Sequence, residues 1–305
     1  MTIKPAAVRP PAARRRKMRK PFNDEKQRSS ILSIALWACA AYFVLPLVWL
    51  FISSTKDTGD LFATFGLWFG NTFHLFQNIG DVLSYQDGIF VRWTVNTAFY
   101  AGVSAVGAAL VATAAGYAFA KYQFPGSRAV ISVILGAIMI PSTALAIPTY
   151  LLFSSAQLTN TPLAIILPSL VSPFGVFLMM VYASSAVPKE LIESGRIDGA
   201  GEFQIFWRVA LRLLGPGIVT VFLFALVHTW NNYLLPLIMF SDGRLYPITV
   251  GLALWQSQGA QGGYSEDVFS IVITGSFISV LPLIIAFLYL QRYWQTGLAT
   301  GGLKG

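Results

Sequence analysis

Charged residues are scarce in this chain of 305 residues: only 11% are Asp, Glu, Lys or Arg, whereas 55% are hydrophobic and the mean hydropathy is +0.62. Ordinary soluble domains carry about 25% charged residues, so the composition excludes a typical water-soluble globular fold. It indicates an integral membrane protein.

Cysteine and histidine are also rare, and the motifs of the common enzyme sites are missing. Cys39 is the single cysteine, which excludes an internal disulfide framework, and His74 and His228 are the only histidines. The sequence contains no G-x-x-x-x-G-K-[ST] phosphate loop, no H-E-x-x-H metal motif and no G-x-S-x-G nucleophile elbow. We therefore predict that the chain is not itself an enzyme and binds no cofactor or metal.

Long apolar runs dominate what remains. A helix crosses the bilayer core with about 20 apolar residues, and such runs are too long and continuous for the strands of a membrane barrel. Six segments qualify: residues 31–53, 93–120, 129–152, 163–186, 215–238 and 269–290. The sequence predicts an all-α integral membrane protein with six transmembrane helices. None of the six contains Asp or Glu, which argues against an ion-coupled secondary carrier.

The basic residues predict the orientation. In the six-span topology, all Lys and Arg residues except Lys56, Arg92 and Arg244 lie on the same side as both termini. Because basic residues favour cytoplasmic loops, we expect cytoplasmic termini. Residues 1–30, with the run RRRKMRK, are predicted to be a disordered basic tail rather than a nucleic-acid-binding arm, and residues 291–305 a second cytoplasmic tail.

Two features of the spans concern helix packing. Ala108, Ala112 and Gly116 recur at intervals of four in the second span, and such small residues let another helix approach closely. Prolines within several spans, including Pro141 and Pro236, predict kinks because proline removes a backbone hydrogen bond.

A charged stretch, PKELIESGRIDGAGEF (188–203), stands between the fourth and fifth spans on the cytoplasmic side. It predicts a helix that begins near Pro188 and a turn at Asp198 and Gly199, where Gly tolerates positive φ and Asp caps a second helix. The second helix would place five apolar residues on one side, Phe203, Phe206, Val209, Ala210 and Leu213. We expect a rigid helix-turn-helix facing the cytoplasm.

The sequence ESGRIDGAGEFQIFWRVALRLLGP resembles the EAA loop of ABC-importer permeases, whose pattern is E-A-A-x-x-D-G-A followed by an aromatic residue and two prolines. The matching residues are Glu193, Asp198, Gly199, Ala200, Phe206 and Pro216. Ser194 and Gly195 replace the two alanines, and Arg212 replaces the first proline. We therefore expect the exit into the fifth span to continue as a straighter helix.

Further segments resemble the carbohydrate-uptake class of these permeases, specifically the maltose-type permease. They are GYAFAKYQFPG (116–126), MIPSTALAIPTY (139–150), WNNYLLPLI (230–238), YPITVGL (246–252) and QRYWQTGLATGGLKG (291–305). The resemblance covers nearly the whole chain after residue 31. It implies a six-span ABC permease domain at residues 31–290.

The resemblance also implies a function and partners. The chain would be the permease subunit of an ATP-driven, binding-protein-dependent importer of a mono-, di- or oligosaccharide in a bacterial cytoplasmic membrane. It would contact lipid, a second homologous permease, two subunits that bind ATP and Mg, and an extracytoplasmic sugar-binding protein, but no nucleic acid. Three alternatives stay open: an ion-coupled secondary carrier, an ABC permease for another polar solute such as a glycerol phosphate, and a membrane-embedded enzyme.

Within the loop, the resemblance implies coupling to the ATPase. We expect Glu193 to meet a basic group of the ATPase, since a charge-assisted contact both anchors and orients. Asp198, Gly199 and Ala200 would build the turn. Phe206 would anchor the second helix by burial, either against the ATPase or against the membrane bundle.

Sugar contacts are assigned to the sequence Trp230, Asn231 and Asn232. Planar amides and an aromatic face suit the hydroxyls and the apolar face of a sugar. Buried amides also bridge helices, and the partner permease would then supply most of the contacts.

Overall fold

The computed structural model describes residues 30–260 and 268–301, with side chains from 31 to 260 and from 268 to 293. The predicted N-terminal tail lies outside the described residues except for Ser30, and so do residues 302–305 of the C-terminal tail. Within the described ranges all regular structure is helical, which confirms the all-α prediction.

The chain forms fourteen α-helices in the described ranges. They are α1 Ser30–Ser54, α2 Thr58–Ala63, α3 Leu75–Lys121, α4 Ser127–Ile138, α5 Ala146–Ser155, α6 Leu163–Ser169, α7 Pro173–Ala186, α8 Lys189–Ile197, α9 Glu202–Ile205, α10 Leu211–Leu213, α11 Gly215–Trp230, α12 Leu234–Met239, α13 Ile248–Ala260 and α14 Val268–Gly301. A π-helical turn, Phe206–Ala210, joins α9 to α10, and a 3₁₀ turn covers Gly243–Leu245. The chain divides into two compact units between Pro46 and Leu47, and α2 to α14 belong to the second unit.

By length and composition, four helical segments of the described chain are able to cross a membrane, or five if the bent segment containing α9 to α11 is one span. The four are Ile31–Ser54, Leu75–Lys121, Leu163–Ala186 and Val268–Tyr293. A single helix over the predicted third span, 129–152, does not form, because α4 ends at Ile138 and α5 begins only at Ala146. Pro141 lies in the intervening turn, where its missing N–H cannot continue a helix. The six-span count stays a prediction.

The second predicted span is part of a much longer helix. α3 begins at Leu75, well before the predicted start at residue 93. Residues 85–88 have non-helical backbone angles and interrupt the helix; Gln86, Asp87 and Gly88 have φ of 49°, 59° and 73°. In the segment between the first two predicted spans, residues 54–92, the part from Leu75 onward is therefore helical, with one kink.

The small residues of α3 form its contact with α7. Ala108, Ala112 and Gly116 are all buried. A Cβ added to Gly116 would lie 2.5 Å from the Cβ of Met179 and 2.7 Å from the backbone nitrogen of Met180. The stripe therefore confirms the packing prediction: it lets the backbones of α3 and α7 approach closely. α11 packs against α3 as well, so α3 lies centrally in this unit.

Candidate functional site

The charged stretch folds into two short helices and a turn, which we call the elbow and define as residues 188–214. Pro188 precedes the first helix with φ −60° and ψ 142°, and α8 runs from Lys189 to Ile197. Ile192 is its one buried residue. Gly195 lies against Ile205 of α9, so close that an added Cβ would be 3.1 Å from the Ile205 Cγ1. The two arms of the elbow therefore contact each other directly.

The turn lies at the predicted residues and is a Schellman motif. Gly199 has φ +79°, the Ala200 N–H donates to the Gly195 carbonyl at 2.9 Å, and the Gly199 N–H donates to the Arg196 carbonyl at 3.0 Å. These two bonds satisfy carbonyls that the end of α8 would otherwise leave free. The left-handed φ is readily adopted only by glycine, which explains the residue at this position.

Asp198 does not cap the second helix, contrary to the prediction. It ends α8, and Gly201 precedes α9 without any side-chain capping bond. Within the described ranges the Asp198 carboxylate accepts no hydrogen bond. The reason is that the Schellman motif places Asp198 on the α8 side of the left-handed residue, three positions before Gly201, the N-cap of α9.

The predicted apolar side of the second helix is also wrong in register. Phe203 is 77% exposed and Leu213 is exposed, whereas Ile205, Ala210 and Leu214 are buried. The buried positions are five and then four residues apart because the π-helical turn inserts one extra residue. Of the predicted set, Ala210 is buried and Phe206 and Val209 are half-buried.

The exit from the elbow is bent, not straight. The segment Glu202–Leu213 meets α11 at an angle of 78°. Arg212 does replace the proline expected there, but Pro216 lies in the first turn of α11 and cannot donate to the Arg212 carbonyl four residues earlier. The family's second proline is thus sufficient for a sharp bend.

Three side chains that the sequence analysis did not select hold the elbow to the end of α3. The Arg196 Nε donates to the Glu202 Oε1 at 2.6 Å, and the Tyr122 hydroxyl donates to the Glu202 Oε2 at 2.7 Å. These two bonds, the Arg196 bond first, lower the pKa of Glu202 below its usual range, so the carboxylate is charged at neutral pH. No local spacing could indicate the Tyr122 contact, because 80 residues separate the partners.

Phe206 lies beside this group. Its ring centroid is 5.1 Å from that of Tyr117, whose ring is 5.8 Å from that of Tyr122. Of the two roles that the sequence left open for Phe206, this packing supports the one against the membrane bundle.

The outer face of the elbow is unusually apolar for a charged segment. Ile197, Phe203 and Trp207 are 86%, 77% and 56% exposed, and the rings of Phe203 and Trp207 stack with centroids 6.2 Å apart. Glu193 of α8 is also exposed, and Ala200 is half-buried in the turn. Large exposed apolar groups rimmed by polar residues are typical of a surface that binds another protein.

A cleft of about 510 Å³ lies among α4–α7, α11 and α12. Its lining includes hydroxyl groups and two aromatic rings, together with His228 and Asn232; examples are Thr149, Ser169, Phe174 and Phe224. No Lys, Arg, Asp or Glu of the described residues lines it. Nor do the described residues contain a group of three His, Cys, Asp or Glu side chains able to hold a metal ion. The lining is thus mostly apolar with a few neutral polar groups, a mixture that is usual in small-molecule sites.

The three predicted sugar residues are not brought together. Asn232 lines the cleft, whereas Trp230 is buried outside its lining. The Asn231 amide donates to the Val227 carbonyl of its own helix at 2.9 Å. α11 ends at Trp230 with Asn231 as its C-cap, and Asn232 lies beyond the helix, so the two amides have different surroundings. His228, on the last turn of α11, also lines the cleft.

Comparison with known proteins identifies relatives over almost the whole chain. The arabinooligosaccharide transport system permease protein AraQ of Halalkalibacterium halodurans is 31% identical over 278 residues, which cover 91% of this chain and 97% of that protein. The lactose transport system permease protein LacG of Rhizobium radiobacter is 31% identical over 272 residues, covering 88% and 93%.

A solved structure has the same fold. It is a chain from a bacterial ABC transporter involved in the import of the acidic polysaccharide alginate, with a TM-score of 0.75 and 22% identity, covering 90% of this chain and 100% of that one. Residues 112–296, which include the elbow and all the described residues that line the cleft, match the family model described as binding-protein-dependent transport system inner membrane component. This chain therefore belongs to the family of inner membrane components of binding-protein-dependent transport systems.

Proposed function

We propose that this chain is the transmembrane permease subunit of an ATP-driven, binding-protein-dependent sugar importer. The observation that carries the proposal is the elbow: a glycine-based turn presenting an exposed apolar face on a chain that belongs to a permease family. Relatives named for arabinooligosaccharide and lactose transport favour a sugar as the transported solute.

In this proposal the elbow docks into an ATPase subunit. Phe203 and Trp207 enter an apolar groove of that subunit, and Glu193 pairs with a basic group beside it. Asp198, Gly199 and Ala200 keep the two arms at a fixed angle. ATP and Mg belong to the partner subunits, whose closure moves the elbow between two states that differ in contact free energy.

We further propose the six-span topology, with both termini and the elbow in the cytoplasm, in a bacterial cytoplasmic membrane. α4 and α5 would together form the third span, broken at Pro141, and α11 with α12 the fifth. Broken helices are tolerated at membrane depth where they line a cavity, and both pairs do line the cleft. A second homologous permease would complete the pathway, and an extracytoplasmic binding protein would deliver the sugar.

The substrate pathway in this proposal passes through the cleft. Asn232 and His228 would bond the sugar hydroxyls, and Phe174 would offer an apolar ring face. Trp230 and Asn231 would act only through the backbone that positions Asn232. The absence of Lys and Arg among the described lining residues favours a neutral sugar over a glycerol phosphate.

The experiment is transport by purified protein in proteoliposomes. The chain is reconstituted with its partner permease, its ATPase subunits and its binding protein, and uptake of labelled sugar is measured with and without internal ATP. We expect uptake only with ATP and ATPase subunits. Uptake driven by an ion gradient, without ATPase subunits, would contradict the proposal and favour a secondary carrier.

A further inference from the structure

One carboxylate joins three separate segments of the chain. Glu202, at the start of α9, receives Arg196 from α8 and Tyr122 from the loop that follows α3. The end of α3 is also held to the end of α7, where the Lys121 Nζ donates to the Ser184 carbonyl at 3.2 Å. Thus the elbow is bonded to α3 by side chains, although neither arm of the elbow is next to α3 in sequence.

The bond between Tyr122 and Glu202 gives the elbow a second connection to the membrane helices, beside the two covalent ones. The covalent exits from the elbow lead to α7 and, across the 78° bend at Leu214, to α11. The bend interrupts the helix, so the elbow and α11 do not form one continuous rod. The contact through Glu202 avoids that junction and reaches α3, which packs against both α7 and α11.

A purely stabilising role explains these bonds less well. The side chains of Arg196 and Glu202 are 48% and 49% exposed, and half-exposed ion pairs contribute little to stability because water screens them. Their geometry is nevertheless specific, since both carboxylate oxygens are used and each receives one donor. Such a contact fixes orientation more than it adds stability.

We propose that Glu202 and Tyr122 are positioning residues that carry the movement of the elbow directly into α3. The inference rests on the proposed function, because it assumes that the elbow is moved by an ATPase. Arg196 fixes the two arms to each other, and Tyr122 fixes both arms to α3. Loss of the Tyr122 hydroxyl alone therefore breaks the bond between the elbow and α3 and leaves the bond between the two arms of the elbow intact.

The test compares Tyr122→Phe with Tyr182→Phe in the complete transporter in proteoliposomes. Tyr182 belongs to the same apolar core, is partly buried and has a hydroxyl that bonds to none of the described residues, so it controls for simple loss of a hydroxyl. For Tyr122→Phe we expect normal assembly, an unchanged KM for sugar and a fall in sugar transported per ATP hydrolysed of about three- to ten-fold. Tyr182→Phe should keep the wild-type ratio.

A double-mutant cycle with Glu202→Ala gives a second readout. If the two residues act through their bond, Glu202→Ala with Tyr122→Phe should lower the ratio no further than Glu202→Ala alone. Additive losses, a wild-type ratio in Tyr122→Phe, or failure of that variant to assemble would each overturn the inference while leaving the proposed function intact. Absence of ATP-dependent uptake by the wild-type transporter would instead refute the proposed function itself.

Discussion

At the scale of single residues, Gly199 has a backbone conformation that residues other than glycine rarely adopt. Its φ is +79°, yet a Cβ at this position would meet no atom within 4 Å. The cost of a side chain is therefore conformational rather than steric: an L-residue in this region loses about 1 to 2 kcal/mol. The elbow angle depends on this residue through the two Schellman bonds.

We predict that Gly199→Val uncouples ATP hydrolysis from uptake while the protein still inserts into the membrane. Gly201→Val is the matched control, because Gly201 has φ −69° and equally open surroundings. Measurements of sugar uptake and ATP hydrolysis on both variants check the prediction. Equal loss of coupling in the two variants would show that bulk, and not the left-handed backbone, is responsible.

The neighbours Asn231 and Asn232 offer another matched pair. Asn232 lines the cleft, whereas Asn231 is bonded to its own helix. Removal of one neutral hydrogen bond costs about 0.5 to 1.5 kcal/mol, so Asn232→Ala should raise the KM for sugar uptake roughly two- to twelve-fold. Asn231→Ala should leave the KM unchanged. The opposite pattern in uptake kinetics would place the sugar outside the cleft.

At the scale of helices, the contact between α3 and α7 leaves no room for an extra methyl group at Gly116. A Cβ there would lie far inside van der Waals distance of Met179, while a Cβ at Gly102 of the same helix would meet nothing within 4 Å. We predict that Gly116→Ala destabilises by about 1 to 3 kcal/mol through overpacking. Gly102→Ala should be neutral or slightly stabilising, because alanine is the better helix former.

Thermal unfolding of the two variants in the same detergent measures this difference. The apparent midpoint should fall for Gly116→Ala and stay or rise for Gly102→Ala. An unchanged midpoint for Gly116→Ala would mean that α7 can move away from α3 without loss, which the tight backbone approach argues against.

The second arm of the elbow shows why helix register is hard to predict. A period of 3.6 residues predicted Phe203 and Leu213 inside, but the π-helical turn shifts the buried positions to Ile205, Ala210 and Leu214. A π turn has no reliable sequence signal, since it depends on how the following segment must pack. Here Leu214 has to reach the core that also contains Met179 and Val187.

At the scale of the whole molecule, the proposed orientation can be measured directly. Cys39 is the only cysteine, so a Cys39→Ser background permits single labelling sites. Trp68 lies between the first two predicted spans, on the side that the six-span topology places outside the cell, and Ile197 lies in the elbow; they are 70% and 86% exposed. We predict that a membrane-impermeant thiol reagent labels the Trp68→Cys variant in intact cells.

The Ile197→Cys variant should be labelled only after the cells are permeabilised, because we place the elbow in the cytoplasm. The chain is expressed without its ATPase subunits, so that nothing docks on the elbow; both sites are exposed on the chain itself, and a difference in labelling then reports the side of the membrane. Labelling of Ile197→Cys in intact cells would reverse the topology and separate the elbow from any cytoplasmic ATPase.

The sequence by itself determined the class of the protein, its apolar helices, the place of the elbow and the glycine at its turn. These follow from composition and from short-range backbone rules, which act within a few residues. Only the tertiary structure decided the helix break at residues 139–145, the 78° bend and the bond between Tyr122 and Glu202. It also decided which residues the π-helical turn buries and why Asn232 lines the cleft while Asn231 does not. Each of these depends on which surface a segment packs against, and that surface is formed by residues far away in the chain.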